Sequence, residues 1–287
     1  MTDRMRVMVV AGLVLGMVGA LVVAGPVNPP SGPVAPTGKT LQEIFDKPSG
    51  ASDGRVRIAG GTSAVAISQP GNYVLTGDVS VTTGTAISIT ASGVTLDLNG
   101  YEVRTDGTAN GMLACEITAG RVTVRNGRLR GGNFTVQFSG NGVTLEDLVV
   151  EGGRFAGILA NQAGVRDAVI RRCTVVNVGA GTTAADDSTL LVGIQYSGST
   201  GIIEQCSVTR MVFNGTGTPT MEGIWMVFFQ SRGNVVRGCT VVQDATVTGT
   251  GIDFANPGNG GVFRDNSVSG YATPYVTGGA ANGGGNV

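Results

Sequence analysis

The chain has 287 residues, 48 of them glycine, with 5% aromatic and 14% charged residues and a formal net charge of −1. That composition suits short β-strands joined by tight turns and argues against a compact helical enzyme. The near-balanced charge gives no electrostatic reason to bind nucleic acid.

At the N-terminus, Arg4 and Arg6 precede an apolar run from Val7 to Ala24 that ends in small residues before Pro26. This is the pattern of an export signal over residues 1–25, cleaved after Ala24 or Gly25. It places the mature protein in the periplasm, at the cell surface or outside the cell. About 18 apolar residues can also just cross a bilayer, so an uncleaved anchor is the alternative, weakened by Gly12, Gly16 and Gly19. Membrane contact is expected only through this segment. Residues 26–50 are proline-rich and read as an extended linker. Within them Thr40-Leu-Gln-Glu43 has capping-box spacing, so Leu41 to Asp46 is expected to form one helical turn. Residues 51–287 then read as one β domain, in which Val65–Ile67 and Gly71–Thr76 are short strands expected to cap the first repeat.

A hexapeptide recurs from there on, with an apolar residue at each end, a polar one second and a small one fourth. Its instances start at Leu96, Val124, Leu145, Ile170, Ile203, Val236 and Phe263. The fourth positions, Asn99, Gly127, Leu148, Cys173, Cys206, Cys239 and Asn266, lie 28, 21, 25, 33, 33 and 27 residues apart. Some twenty residues suffice for one coil of three short strands, and longer intervals hold inserted loops, as in a solenoid whose coils share a core. A second strand precedes each later element, as in Gly193-Ile-Gln-Tyr196, Gly223-Ile-Trp-Met226 and Gly251-Ile-Asp-Phe254. Strand alternation puts Ile87, Val136, Ile158, Ile194, Ile224 and Ile252 inside and Leu159, Gln195, Trp225 and Asp253 outside. The fold expected is all-β, a right-handed parallel β-helix of seven to eight coils with a short N-terminal cap. A β-sandwich needs hairpin turns, whereas these strands recur in one order at coil-length intervals.

The segment Ile67-Ser-Gln-Pro-Gly-Asn-Tyr-Val-Leu-Thr-Gly77, followed by Gly93-Val-Thr-Leu-Asp-Leu-Asn-Gly-Tyr101, resembles exported bacterial proteins of the pectin-lyase-like right-handed β-helix superfamily. The resemblance spans roughly residues 26–275. It implies the fold, export, and polysaccharide as the substrate class of characterised members. It supplies no catalytic residues: the family's Gly-His-Gly, Asp-His and Asp-Pro-His-Glu motifs all need histidine, and this chain has none.

Asp97, Arg125, Glu146, Arg171, Glu204, Arg237 and Arg264 share one position of successive coils, so they should stack about 4.8 Å apart as a column of alternating sign. Only Arg237 beside Arg264 breaks the alternation, and there the column could face an anion. The cysteines at the fourth position, Cys173, Cys206 and Cys239, read as small buried fillers, with one disulfide between stacked neighbours as the alternative, and Cys115 sits in another strand. No metal site is indicated by cysteine and histidine spacing.

Trp225, the only tryptophan, is the first candidate binding residue. A flat outward ring beside the hydrogen-bonding groups Gln195 and Asp253 suits a sugar face. Two inserted loops precede this row, Ala180–Leu191 with Asp186 and Asp187, and Val212–Glu222 with Asn214 and Glu222. Paired carboxylates in a groove walled by such loops could bind calcium or do acid–base work. No other cofactor is indicated. Two readings follow: a carbohydrate-binding or structural surface protein without catalysis, or a polysaccharide lyase or glycoside hydrolase working through Glu222, Asp253 and Asp186. An uncapped last coil also permits end-to-end self-association.

Overall fold

The computed structural model describes residues 54–107, 111–186, 189–227, 233–254 and 260–287. The expected leader, linker and helical turn lie outside these residues. Among the described residues, 23 strands and no helix form one continuous ladder whose pairings are all parallel. Three stacks of strands wind around a single core. In the first stack Tyr73, Leu96, Val124, Leu145, Ile170, Ile203, Val236 and Phe263 lie in register. The second aligns Val79, Val103, Leu129, Val150, Val175, Val208, Val241 and Val268. The third aligns Val65, Ile87, Cys115, Val136, Ile158, Ile194, Ile224 and Ile252. Nearly all of these side chains belong to one buried cluster. Burial of β-branched side chains on three inner faces therefore drives the winding, and parallel crossovers take the right-handed sense. The molecule is a parallel β-helix.

The start of the helix differs from the expectation. Val65–Ile67 and Gly71–Leu75 do not cover the first coil; they pair in parallel with Ile87–Ile89 and Val94–Asp97 and are themselves part of the ladder. Val56–Ile58 pairs in turn with Tyr73–Leu75.

The turn between the first two stacks also corrects one alignment. Asn126, Asp147, Arg172, Gln205, Gly238 and Asp265, the third residues of their hexapeptides, all adopt positive φ, between 51° and 60°. In the earliest repeat the residue in that conformation is Asn99 (φ 53°), the fourth. This turn is two residues longer between its register pairs than the next one. Asn99 is therefore exposed, and Leu98 takes the interior place, lying where a Cβ on Gly127 would collide with it at 2.4 Å. Asn, Asp and Gly dominate this column because they tolerate the left-handed region best.

Inside the same turn Cys173, Cys206 and Cys239 are buried and free, and their thiols donate to the carbonyls of Leu145, Ile170 and Ile203. On the outer face the expected charge column is in register from Asp97 to Arg264. It resolves into doublets, each acid bonding to the arginine of the following coil: Arg125 to Asp97 at 3.3 Å, Arg171 to Glu146 at 2.7 Å and Arg237 to Glu204 at 2.8 Å.

A glycine ladder joins the second and third stacks. A Cβ on Gly157, Gly193, Gly223 or Gly251 would come within 2.4 Å or less of Val175, Val208, Val241 or Val268 respectively. It would also meet a main-chain oxygen of the next coil at 2.8 Å or less. Overpacking of this kind costs about 1–3 kcal/mol. Gly193→Ala should therefore lower the unfolding free energy in urea by about that amount, whereas Gly61→Ala, where a Cβ meets nothing within 4 Å, should change it by less than about 0.5 kcal/mol. Equal losses from the two variants would refute the ladder as a packing constraint.

Candidate functional site

The glycine ladder also shapes the outer surface. In each Gly-Ile step both residues face inward, which breaks the alternation of the strand and turns the residues on either side of the pair outward. Two outward rows result. Ala156, Val192, Glu222 and Thr250 form one, and Leu159, Gln195, Trp225 and Asp253 form the other. Ala156, Leu159 and Val192 make a small apolar cluster separate from the main core, with Phe134 and Trp225 packed against it. Trp225 is thus half-buried by its coil neighbours, and its indole N–H has no partner among the described residues. Gln195, also half-buried, donates to Ser197 Oγ at 3.3 Å.

Beside this patch lie two carboxylates of adjacent coils. Glu222 pairs in register with Thr250, and Trp225 with Asp253. Each acid residue is only 7% exposed. Burial pushes the Glu222 carboxyl up to about 7, the neighbouring Asp253 charge adds to the shift, and hydrogen bonds from Thr250 oppose it. Burial alone pushes Asp253 up to about 6. Glu222 Oε2 and Asp253 Oδ1 are both buried with no hydrogen-bond partner among the described residues. Burial disfavours the charged form of each carboxyl, and at Glu222 the Asp253 charge adds to this, so both bind a proton more tightly than they would in water.

Asp186 has a different situation. Its carboxylate accepts from Arg154 Nη2 at 2.5 Å and Nε at 3.3 Å and from the Thr183 amide at 2.7 Å. Arg154 and then the Thr183 amide hold it below the usual carboxylate range. Asp186 is committed to closing its own loop onto the segment that enters the strand at Ala156. Asp187 lies outside the described residues. The inserted loops are tied together, since Asn214 donates through its amide to Thr182 Oγ1 at 2.8 Å and through its side chain to the Ala180 carbonyl at 3.2 Å, and the Thr216 amide donates to the Asp186 carbonyl at 3.0 Å.

Thr250 and the apolar members Ala156 and Val192 are absent from the sequence-level candidates. The signal that could have found them is the Gly-Ile dipeptide itself. Its repetition at Gly157, Gly193, Gly223 and Gly251 marks the preceding residue as a second outward position, which simple alternation from the isoleucine misassigns.

The raised carboxyl values have a stability consequence with a definite sign. A carboxyl whose folded value exceeds its unfolded one binds its proton more tightly when folded, so stability falls as pH rises from the unfolded toward the folded value. Between about pH 4 and pH 7 the thermal midpoint should therefore fall through these two groups. Glu222→Gln should remove much of that slope and raise stability at pH 8 by about 1–3 kcal/mol. Melting curves of both proteins at pH 5 and pH 8 measure this, and parallel pH profiles would rule the strained pair out.

No family model matches the chain, and no curated protein matches it. Three solved structures are similar in shape at low identity. Pectate lyase Pel9A gives a TM-score of 0.47 at 12% identity, over 80% of this chain and 69% of that one. An alginate lyase from Paenibacillus sp. str. FPU-7 gives 0.42 at 13%, over 77% and 99%. The Dettilon tailspike protein gives 0.45 at 13%, over 81% of this chain and 60% of its own. The parallel β-helix architecture itself rests on the chain's own strand register.

Proposed function

We propose that the protein is a carbohydrate-binding β-helix that takes a saccharide on the outer face of its third strand stack, with one ring against Trp225. The observation that carries this reading is the row Gln195–Trp225–Asp253, in register on adjacent coils. It sets a half-buried indole, whose N–H has no partner among the described residues, between an amide and a carboxylate. A flat apolar face flanked by convergent polar groups matches a sugar ring, which has an apolar face and a hydroxylated rim. Rows spaced by the coil repeat suit an extended chain lying along the helix axis. Together with the leader expected over residues 1–25, the proposal sets this binding in the periplasm, at the cell surface or outside the cell.

A second reading is carboxylate catalysis on the bound glycan, as a lyase or glycoside hydrolase. It is favoured by the Glu222–Asp253 pair, whose values of about 7 and about 6 suit proton exchange at neutral pH. In this reading Glu222, the more strongly shifted, holds the transferable proton, and ionised Asp253 serves as its partner. The same two carboxylates, when ionised, are the groups that would hold calcium, an oxygen-seeking ion.

A glycan array probed with the full chain and with Trp225→Ala tests the binding proposal. At least one glycan class should be retained by the wild type and weakened tenfold or more by the substitution, about 1.4 kcal/mol. An array without hits, or hits indifferent to Trp225, would sink it. On any glycan that binds, Glu222→Gln separates the two readings. Binding retained with product formation abolished assigns catalysis; no product from the wild type, with or without calcium, leaves binding as the function.

A further inference from the structure

We infer that the glycan held by Trp225 carries a free amino group, whose ammonium is received between the Glu222 and Asp253 carboxylates. This rests on the Trp225 binding reading and names the class of saccharide. The two outward rows of the third stack run in register from Ala66 to Val276 and from Leu113 to Thr273. They include three acids, Glu116, Glu222 and Asp253, and no lysine or arginine. The other two stacks set arginines beside their acids, as in Asp97–Arg125, Glu204–Arg237 and Glu102–Arg128. Arg154, two residues before Ala156, is taken by Asp186 through Nη2 at 2.5 Å and Nε at 3.3 Å. Neither Glu222 nor Asp253 has an ion pair among the described residues, and no positive charge offsets the rise in proton affinity of either.

The two carboxylates also lack donors. Each residue is 7% exposed, and Thr250 donates to Glu222 from the next coil yet leaves Glu222 Oε2, like Asp253 Oδ1, without a partner. A buried acceptor without a donor is costly, so a ligand that brings N–H or O–H groups here supplies what the free protein lacks. Of the groups a saccharide presents, an ammonium alone brings both missing things, three N–H donors and a positive charge. A hydroxyl or an N-acetyl amide brings a donor without charge. A uronate carboxylate brings no donor and adds a further negative charge. The indole of Trp225, one coil from Asp253 in register, favours a cation as well. Calcium would also neutralise the two acids, but it takes roughly six to eight oxygens, and no third carboxylate joins these two among the described residues.

Isothermal titration of the full chain near neutral pH tests this with oligomers of equal length and linkage: β-1,4-glucosamine, its N-acetylated form and β-1,4-glucose. A lysine oligomer of matched charge is the control for general attraction of cations. The glucosamine oligomer should bind at least tenfold more tightly than each of the other three. Glu222→Gln and Asp253→Asn should each reduce that margin severalfold, and the double variant should abolish it. Glu116→Gln, an acid of the same face in an earlier coil, should leave the margin unchanged, and Trp225→Ala should weaken the glucosamine oligomer tenfold or more. Equal affinity for the glucose or N-acetylated oligomer, equal affinity for the lysine oligomer, or a margin that survives the double variant would overturn the inference. Those outcomes leave the Trp225 reading standing wherever a glycan on the array is lost through Trp225→Ala, so the two fail separately.

Discussion

The glycine ladder at positions 157, 193, 223 and 251 is the constraint on which the rest of the later coils depends. Without a Cβ at these positions the valine row of the second stack can close against the main chain of the third. The same steps reverse the strand's alternation and push Glu222 and Thr250 outward onto the surface that already carries Trp225 and Asp253. Core closure and the composition of the candidate site are therefore two results of one packing requirement. A carboxylate that alternation would have buried in hydrocarbon is placed on a half-sealed outer face, where burial raises its proton affinity without abolishing access to protons.

The charge column works differently, and its energetic weight is small. Each bridge is partly exposed, with arginine side chains 39% to 43% accessible in the Asp97, Glu146 and Glu204 pairs. Exposed pairs of this kind contribute about 0–1 kcal/mol each. Their effect is on register: slipping one coil would place arginine over arginine and acid over acid from Asp97 to Arg237. The hydrophobic rows are poor at preventing such slippage because successive coils present the same apolar residues, so the polar face supplies the discrimination that the core lacks.

Much of the fold was legible in the sequence, because a coil that stacks on its neighbour must repeat its apolar and charged positions. The charge column and the inward isoleucine row were readable for that reason. The first repeat was misaligned at Asn99, since a turn two residues longer keeps the same residue types while moving Leu98 into the interior. The strands at Val65 and Gly71 were mistaken for a cap because they lack the hexapeptide; their pairing rests on backbone hydrogen bonds, which leave little trace in residue identity. For the candidate site, sequence brought Trp225, Gln195, Asp253 and Glu222 to one neighbourhood. It could not show that Arg154 occupies Asp186, because that pair joins residues 32 positions apart through a loop whose path follows no repeat.

The column of three free thiols has a consequence for how the chain reaches this structure. Consecutive coils bring Cα atoms about 4.8 Å apart, inside the range a disulfide spans, yet stacking also buries Cys173, Cys206 and Cys239 at 1% to 2% exposure and raises the proton affinity of Cys206 and Cys239. Thiol exchange needs an accessible thiolate, so the finished helix protects the sulfurs it has aligned. A chain that meets an oxidant before its coils stack has no such protection. Linking Cys173 to Cys239 would bridge two coil heights, about 9.6 Å, beyond disulfide reach, and would bar the native stack outright. Coil formation and oxidation are therefore in competition, and the winner decides whether the helix can close.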